Sequence, residues 1–346
     1  MKYLCPEIEK LVSNLEKKED VYIFNTPKNY EIYNLIWKKQ REMNNQKDSD
    51  PSLQWGKNRI FLFNTLGGQP VDFQNEGVIL DACSGLGRFS VAALEKKAKF
   101  VISYDGSFNG LQSTAERIKI RNAPDNYDEE GGDWIEKNHK PSDISHPRMY
   151  EPLIRLKDIN NIEKRHVSIQ GDIEHIADLF SEAKLQVDLV FHHMALQHTR
   201  DYKKTLSDFY QILKPGGCMV FNFFRENTTP KITYDMREIF LKFSPQLVYD
   251  FVEAVEKLEH RDLDSVLEAV SKEKYLPILQ GLLHLSKEYS FEEVIKRLHF
   301  EDLQTPYQHN LHYDEVRNYV KNNLGMSLHW EVDFKGEDVG IICAGK

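Results

Sequence analysis

The chain contains no apolar run approaching the ~18 residues that a membrane-spanning helix needs. Its first twenty residues are charged throughout and carry no apolar leader core, so a cytoplasmic protein is the expectation. Cysteine is scarce: Cys5, Cys83, Cys218 and Cys343 lie far apart and form no CxxC pair, which argues against a zinc ribbon or a disulfide framework. Three of the four sit in apolar segments, where a thiol reads as a small buried hydrophobe. Basic residues are outnumbered, 45 to 54, leaving a net charge of −9. Phosphate binding calls for a basic surface, so nucleic acid is a disfavoured partner. The histidines show no recognised metal-ligand spacing, and no metal is expected. What remains, 40% apolar and 29% charged residues, is the composition of a globular protein.

Five short runs rich in Val, Ile and Phe stand out: GVILDAC (77–83), FVISYD (100–105), VSIQGD (167–172), VDLVFHH (187–193) and CMVFNFF (218–224). Apolar on both faces, they read as buried strands of a parallel sheet. Helical patterns separate them at 88–97, 109–120 and 199–213, the last ending at Lys214-Pro215-Gly216-Gly217. Such alternation predicts right-handed crossovers and a Rossmann-like α/β fold. From 226 to 300 the pattern becomes a series of amphipathic helices, one opened by Ser290 and Glu293 in capping-box spacing. Helix 313–323 and the runs 327–334 and 338–343 then predict a C-terminal antiparallel hairpin. The expectation is a seven-stranded, mainly parallel sheet with a helical insertion. Residues 1–53 form a helical extension, 54–225 with 301–346 the core, and 226–300 a lid over the strand ends. Residues 123–160 read as a polar loop. The aromatic stripe Tyr30, Tyr33, Trp37 has helical spacing and reads as a packing face.

The turn Asp81-Ala82-Cys83-Ser84-Gly85-Leu86-Gly87 joins the first core strand to a helix. Its glycines let a ligand lie against the main chain, and the helix behind presents free N–H groups. Asp105 lies 24 residues after Asp81, near the ~20-residue spacing of a ribose-binding carboxylate. Asp172 ends the third strand, where a carboxylate could accept from an adenine amino group. Three acids around one crevice suit a cationic ligand better than a pyrophosphate.

In this order the segments resemble the motifs of class I S-adenosylmethionine-dependent methyltransferases. The 188–198 segment resembles their fourth-strand region, with LKPGG (213–217) before the fifth strand. Pro306-Tyr307-Gln308-His309-Asn310-Leu311-His312-Tyr313-Asp314-Glu315 is similar to the P-x-x-H-x-x-(H/T)-x-x-E segment of the broad small-molecule subgroup. The likeness covers roughly 54–120, 165–225 and 300–345.

The resemblance implies methyl transfer from S-adenosylmethionine to a small-molecule O, N, S or C nucleophile, leaving S-adenosylhomocysteine. It implies cofactor contacts at Trp55, Arg59, Asp81, Cys83, Gly85, Gly87, Asp105, Gly106, Ser107, Asp172, Ile173 and His192. His192 and His193, after the fourth strand, are candidates for a general base. Tyr307, His309, His312 and His198 are candidates for the acceptor pocket. Cys83 stands where the family usually has glycine, so the turn must accommodate a thiol. Alternatives are an aminopropyltransferase, a nicotinamide dehydrogenase (disfavoured, because Ser90 replaces a third glycine) and a non-catalytic cofactor- or partner-binding protein on the same fold.

Overall fold

The structure is a computed structural model; it describes residues 3, 5–27, 30–44, 77–95, 98–121, 161–224, 229–270, 273–333 and 339–346. Strands β3 (Val78–Ala82), β4 (Phe100–Asp105) and β5 (His166–Gln170) are buried at every position. A strand buried on both faces must be covered by helices on both sides, as the continuous apolar runs predict. Helices α3 (Arg88–Glu95) and α4 (Phe108–Arg121) follow β3 and β4, α5 (Ile176–Ala183) follows β5, and α6 (Tyr202–Ile212) follows β6 (Val187–His193).

Alternating side chains divide the core into two layers. Leu80, Ile102, Ile169, Val190 and Phe221 face the layer that holds α5 and α6. Ile79, Val101, Leu189, Phe191 and Val220 face α3. With β1 (Glu16–Lys18), β2 (Val21–Ile23), β7 (Leu213–Phe224), β8 (Ser327–Asp333) and β9 (Val339–Gly345), the strand order is β1-β2-β5-β4-β3-β6-β7-β9-β8, nine strands among the described residues. The chain reverses direction across the sheet between β4–β3 and β6. Ligands of open α/β sheets bind at such a switch point, beyond the carboxyl ends of the strands.

Three expectations need correction. The sheet has nine strands rather than seven, because the amino-terminal extension is not wholly helical. After α1 (Pro6–Val12), β1 (Glu16–Lys18) and β2 (Val21–Ile23) form a hairpin whose second strand pairs in parallel with β5. These strands are too short to show a period in the sequence. Second, β7 (Leu213–Phe224) begins five residues before the expected run, since Leu213 pairs with Val187 across a register shift. Lys214–Gly217 therefore bulge along the strand instead of lying outside it. Third, the acid Asp172 lies beyond β5 and caps a short 3-10 turn, Ile173–His175, accepting from the Glu174 N–H at 3.1 Å. The C-terminal hairpin, β8 (Ser327–Asp333) and β9 (Val339–Gly345), is antiparallel as expected, with β9 also antiparallel to β7.

After β7 the helices α7 (Lys231–Phe240), α8 (Pro245–Glu256), α9 (Leu263–Ala269), α10 (Leu276–Leu285), α11 (Phe291–Lys296) and α12 (Phe300–Gln304) build a separate apolar cluster. The Ser290–Glu293 capping box is present. That cluster also takes Ile32 and Leu35 from α2 (Tyr30–Asn44). Helix α13 (Tyr313–Asn318) then returns the chain to the hairpin.

Candidate active site

At the end of β3 the backbone turns left-handed three times. Cys83 has φ 59°, Gly85 54° and Gly87 71°. A Cβ on Gly87 would come within 2.2 Å of the Thr114 side chain, so α4 packs directly on the turn. Cys83 holds the conformation without being glycine, at a cost of about 1 kcal/mol or more. Such strain persists where the surroundings fix it, and it clusters at functional sites.

The turn is clamped to β4 by Asp105. Its carboxylate accepts the Gly85 N–H at 2.8 Å and the Ser107 N–H at 2.7 Å. Asp81 accepts the N–H and the hydroxyl of Ser90, at 2.9 and 2.6 Å, tying β3 to α3. Ser90 Oγ lies 2.6 Å from Ser103 Oγ, which lies 2.8 Å from His166 Nε2, so a buried polar chain runs from Asp81 across β4 to β5. Asp172 donates its N–H to Asn25 Oδ1, and its carbonyl accepts the Tyr104 hydroxyl.

All three acids act on one point. Asp105, Asp81 and Asp172 each reach the Cys83 thiol electrostatically, and burial with this negative field holds the thiol protonated, well above its ordinary range. Burial raises Asp81 to about 7 and Asp105 to about 6. The opposing influences are hydrogen bonds from Ser90, Gly85 and Ser107; no basic side chain among the described residues compensates either acid. Ser84 Oγ, buried in the same turn, has no hydrogen-bond partner. An orphaned buried hydroxyl beside a glycine turn and the Asp105 carboxyl fits a polar ligand such as S-adenosylmethionine.

The remaining sequence-derived candidates are distributed unevenly. Ser107 is fully buried and gives its hydroxyl to Asn34 Oδ1 at 3.0 Å. Gly106 is half-buried, with the Tyr33 ring against its α-carbon, and Ile173 packs on the core at the other rim. His192 does not face an open pocket. It is 1% exposed, its Nδ1 donates to the Ala82 carbonyl at 3.0 Å, and its ring meets Phe209 of α6 edge-on. The strand alternation turns it into the packed layer, where burial lowers its pKa to about 4. His193 points to the opposite layer, its ring 5.1 Å from that of Phe89.

His198 donates through Nδ1 to the Tyr307 carbonyl at 3.2 Å, and His309 through Nε2 to the Thr199 carbonyl at 2.8 Å. These two histidines latch the turn after β6 to the segment before α13. His312 is exposed at the start of α13, near Glu315 and away from that latch. Trp55 and Arg59, and the loop at 123–160, lie outside the described residues.

Sequence reasoning missed Tyr33 and Trp37. Tyr33 feels Cys83, Asp172, Asp105 and Tyr307 electrostatically, and the Trp37 ring lies on Gly85. The signal in the sequence was a helix with two apolar faces, Tyr33 and Trp37 on one and Ile32, Leu35 and Ile36 on the other, as expected of a helix between two bodies.

A family model described as a methyltransferase domain matches residues 149–221. The sheet, mainly parallel with an antiparallel C-terminal hairpin, is of the Rossmann-like kind that the sequence predicts. No curated protein matches the chain. Among solved structures, an O-methyltransferase family protein from Burkholderia thailandensis is similar at 10% identity and a TM-score of 0.43, over 85% of this chain and 57% of that one. A putative O-methyltransferase from Nostoc punctiforme is similar at 12% identity and 0.40, over 84% and 55%. Magnesium protoporphyrin IX methyltransferase from Synechocystis, solved with S-adenosylhomocysteine, is similar at 9% identity and 0.44, over 92% and 97%. The chain thus spans little more than half the length of the first two.

Proposed function

We propose that this protein transfers the methyl group of S-adenosylmethionine to a small-molecule acceptor carrying an O, N, S or C nucleophile. The observation that carries this reading is the left-handed turn Cys83–Gly87, clamped by Asp105 at the switch point of the parallel sheet, in a chain whose residues 149–221 match a methyltransferase-domain model. When bound, the cofactor supplies an activated methyl on a sulfonium that departs as a neutral thioether.

The chain's own residues then have three tasks. Asp105 and Asp172 take the adenosyl portion, and Asp105 holds the Gly85 N–H in place while it does so. The glycine turn and Ser84 take the amino-acid end. The insertion helices, with Tyr307 held by the His198 latch, exclude water and align the acceptor in line with the methyl. An acceptor that arrives protonated hands its proton to a side chain at this edge, and His193 is the candidate. His192, packed against Phe209, holds the strand end in place instead.

Calorimetry with S-adenosylhomocysteine tests the binding half: saturable binding to one site is expected, and none overturns the reading. A metabolite extract incubated with methyl-labelled cofactor tests the transfer half. Binding without label transfer to any small molecule would favour a non-catalytic cofactor-binding role.

A further inference from the structure

Helix α2 belongs to two cores at once. Ile32 and Leu35, 7% and 6% exposed, sit in the apolar cluster of the insertion, and the helix packs on α8 and α12. Its other face lies on the methyltransferase core. Asn34 Oδ1 accepts from the Ser107 hydroxyl at 3.0 Å and the Asn109 N–H at 3.1 Å, and its carbonyl accepts from Asn109 Nδ2 at 3.2 Å. Asn34 thereby caps the start of α4 from outside the helix. This fixes the register of α2 against the residues that follow Asp105.

With that register set, two aromatic rings cover the glycine positions. A Cβ on Gly85 would stand 2.6 Å from Trp37 Cζ2, and one on Gly106 would stand 2.9 Å from Tyr33 Cδ2. Both glycines belong to the segments that the sequence assigns to cofactor contact, and their missing side chains leave room for the rings. Tyr33 also stands within electrostatic reach of Asp105, Asp172 and Cys83 on one side and Tyr307 on the other. Tyr33 and Tyr307 thus arrive from opposite ends of the chain at the same hollow.

Building on the function proposed above, we infer that Tyr33 and Trp37 are cofactor-contact residues, which α2 ties to the helical insertion so that cofactor binding stiffens the acceptor-side cap. Tyr33 meets the adenosyl portion at Gly106, and the Trp37 indole closes on the amino-acid end at Gly85. Because Ile32 and Leu35 on the reverse face are embedded among α8 and α12, a ligand that fixes the front of α2 also fixes its back. The coupling needs no movement of the sheet.

The test combines affinity with two structural readouts in the full-length protein. Wild-type protein and the variants Tyr33→Phe, Trp37→Phe, Trp37→Ala and Tyr30→Ala are titrated with S-adenosylhomocysteine by calorimetry. Trp37→Ala is expected to raise Kd by roughly tenfold or more, and Tyr33→Phe by a smaller factor, when stacking or a hydroxyl contact is lost. Tyr30, 46% exposed on the same helix, serves as the control and is expected to leave Kd unchanged. Ligand-induced change in tryptophan emission should be reduced in Trp37→Phe. Amide exchange in 245–256 and 300–304 should slow on adding ligand to the wild type, and not in Trp37→Phe.

If the wild type binds no S-adenosylhomocysteine, the proposed function itself falls. If it binds and the folded Tyr33→Phe and Trp37→Phe variants bind equally well, with the exchange response intact, the present inference falls while the function stands. Tighter binding in Trp37→Ala would likewise overturn it, because it would make the indole an obstacle rather than a contact.

Discussion

Cys83 and Met194 hold the same left-handed backbone, φ 59° and 51°, just beyond the carboxyl ends of the adjacent strands β3 and β6. Met194 is held there by its N–H, which donates to Asn222 Oδ1 at 2.8 Å, and by its carbonyl, which accepts Gln197 Nε2 at 2.7 Å. Two side-chain-bearing residues in a conformation suited to glycine thus flank the hollow where the proposed chemistry takes place.

Substitution at Cys83 should follow backbone strain rather than size. Cys83→Val places a β-branched side chain at positive φ and is expected to lower stability by about 1 to 3 kcal/mol. Cys83→Gly relieves the strain while losing a small buried group, and is expected to stay within about 1 kcal/mol of wild type. Urea unfolding of the two variants measures the difference; equal losses would show that the turn is not strained.

Asp105→Asn separates two roles of one carboxylate. The amide keeps one acceptor for the Gly85 and Ser107 N–H groups and leaves the other unsatisfied, lowering stability by about 1 to 3 kcal/mol. Affinity for S-adenosylhomocysteine should fall as well. Lost stability with undiminished affinity would assign Asp105 to the turn alone.

Acid sensitivity should come from imidazoles. Burial lowers His166 to about 3 and His192 and His198 to about 4, against an unfolded value of about 6.5. Their contribution is complete above the unfolded value and is lost as pH falls toward 4. Asp81 and Asp105, raised to about 7 and about 6, contribute in the opposite sense, with stability present at low pH and lost as pH rises through those values. His192→Phe should therefore lose less stability than the wild type between about pH 6 and pH 4. Denaturant titrations across that range decide it, and an unchanged slope would show that His192 is not held neutral by the fold.

Arg237 is a structural guanidinium of the insertion. Its Nη1 donates to the Asp302 carbonyl at 2.6 Å and its Nη2 to the Thr305 carbonyl at 2.7 Å, joining α7 to the end of α12, two residues before Tyr307. Lysine does not reproduce the fork. Arg237→Lys is expected to cost about 2 to 3 kcal/mol and to weaken turnover more than cofactor binding. Equal loss of both would place the segment on the cofactor side.

Much of the core was legible because its strands are buried on both faces, and a continuous run of Val, Ile and Phe this short suits a doubly covered strand better than a helix or a loop. The glycine turn and the acids that follow β4 and β5 were legible for the same reason: chemistry sits where a buried run stops. The β1–β2 hairpin was not, since three-residue strands carry no period. Tyr33 and Trp37 were visible, yet a packing stripe and a ligand wall look alike until a partner surface is known. His192 illustrates the converse. A histidine at a strand end suggests catalysis, but strand parity decides which layer it enters, and here it enters the one closed by Phe209.

The edge pairing of β2 with β5 sets an order of events during synthesis. Val21–Ile23 leave the ribosome early and then wait for Ser168–Gln170 to emerge. Asn25, which meets the Asp172 N–H, waits across 147 residues. A nascent chain halted before that point presents an unmated β-ribbon. The β1–β2 hairpin is therefore made well before the strand it joins and docks late.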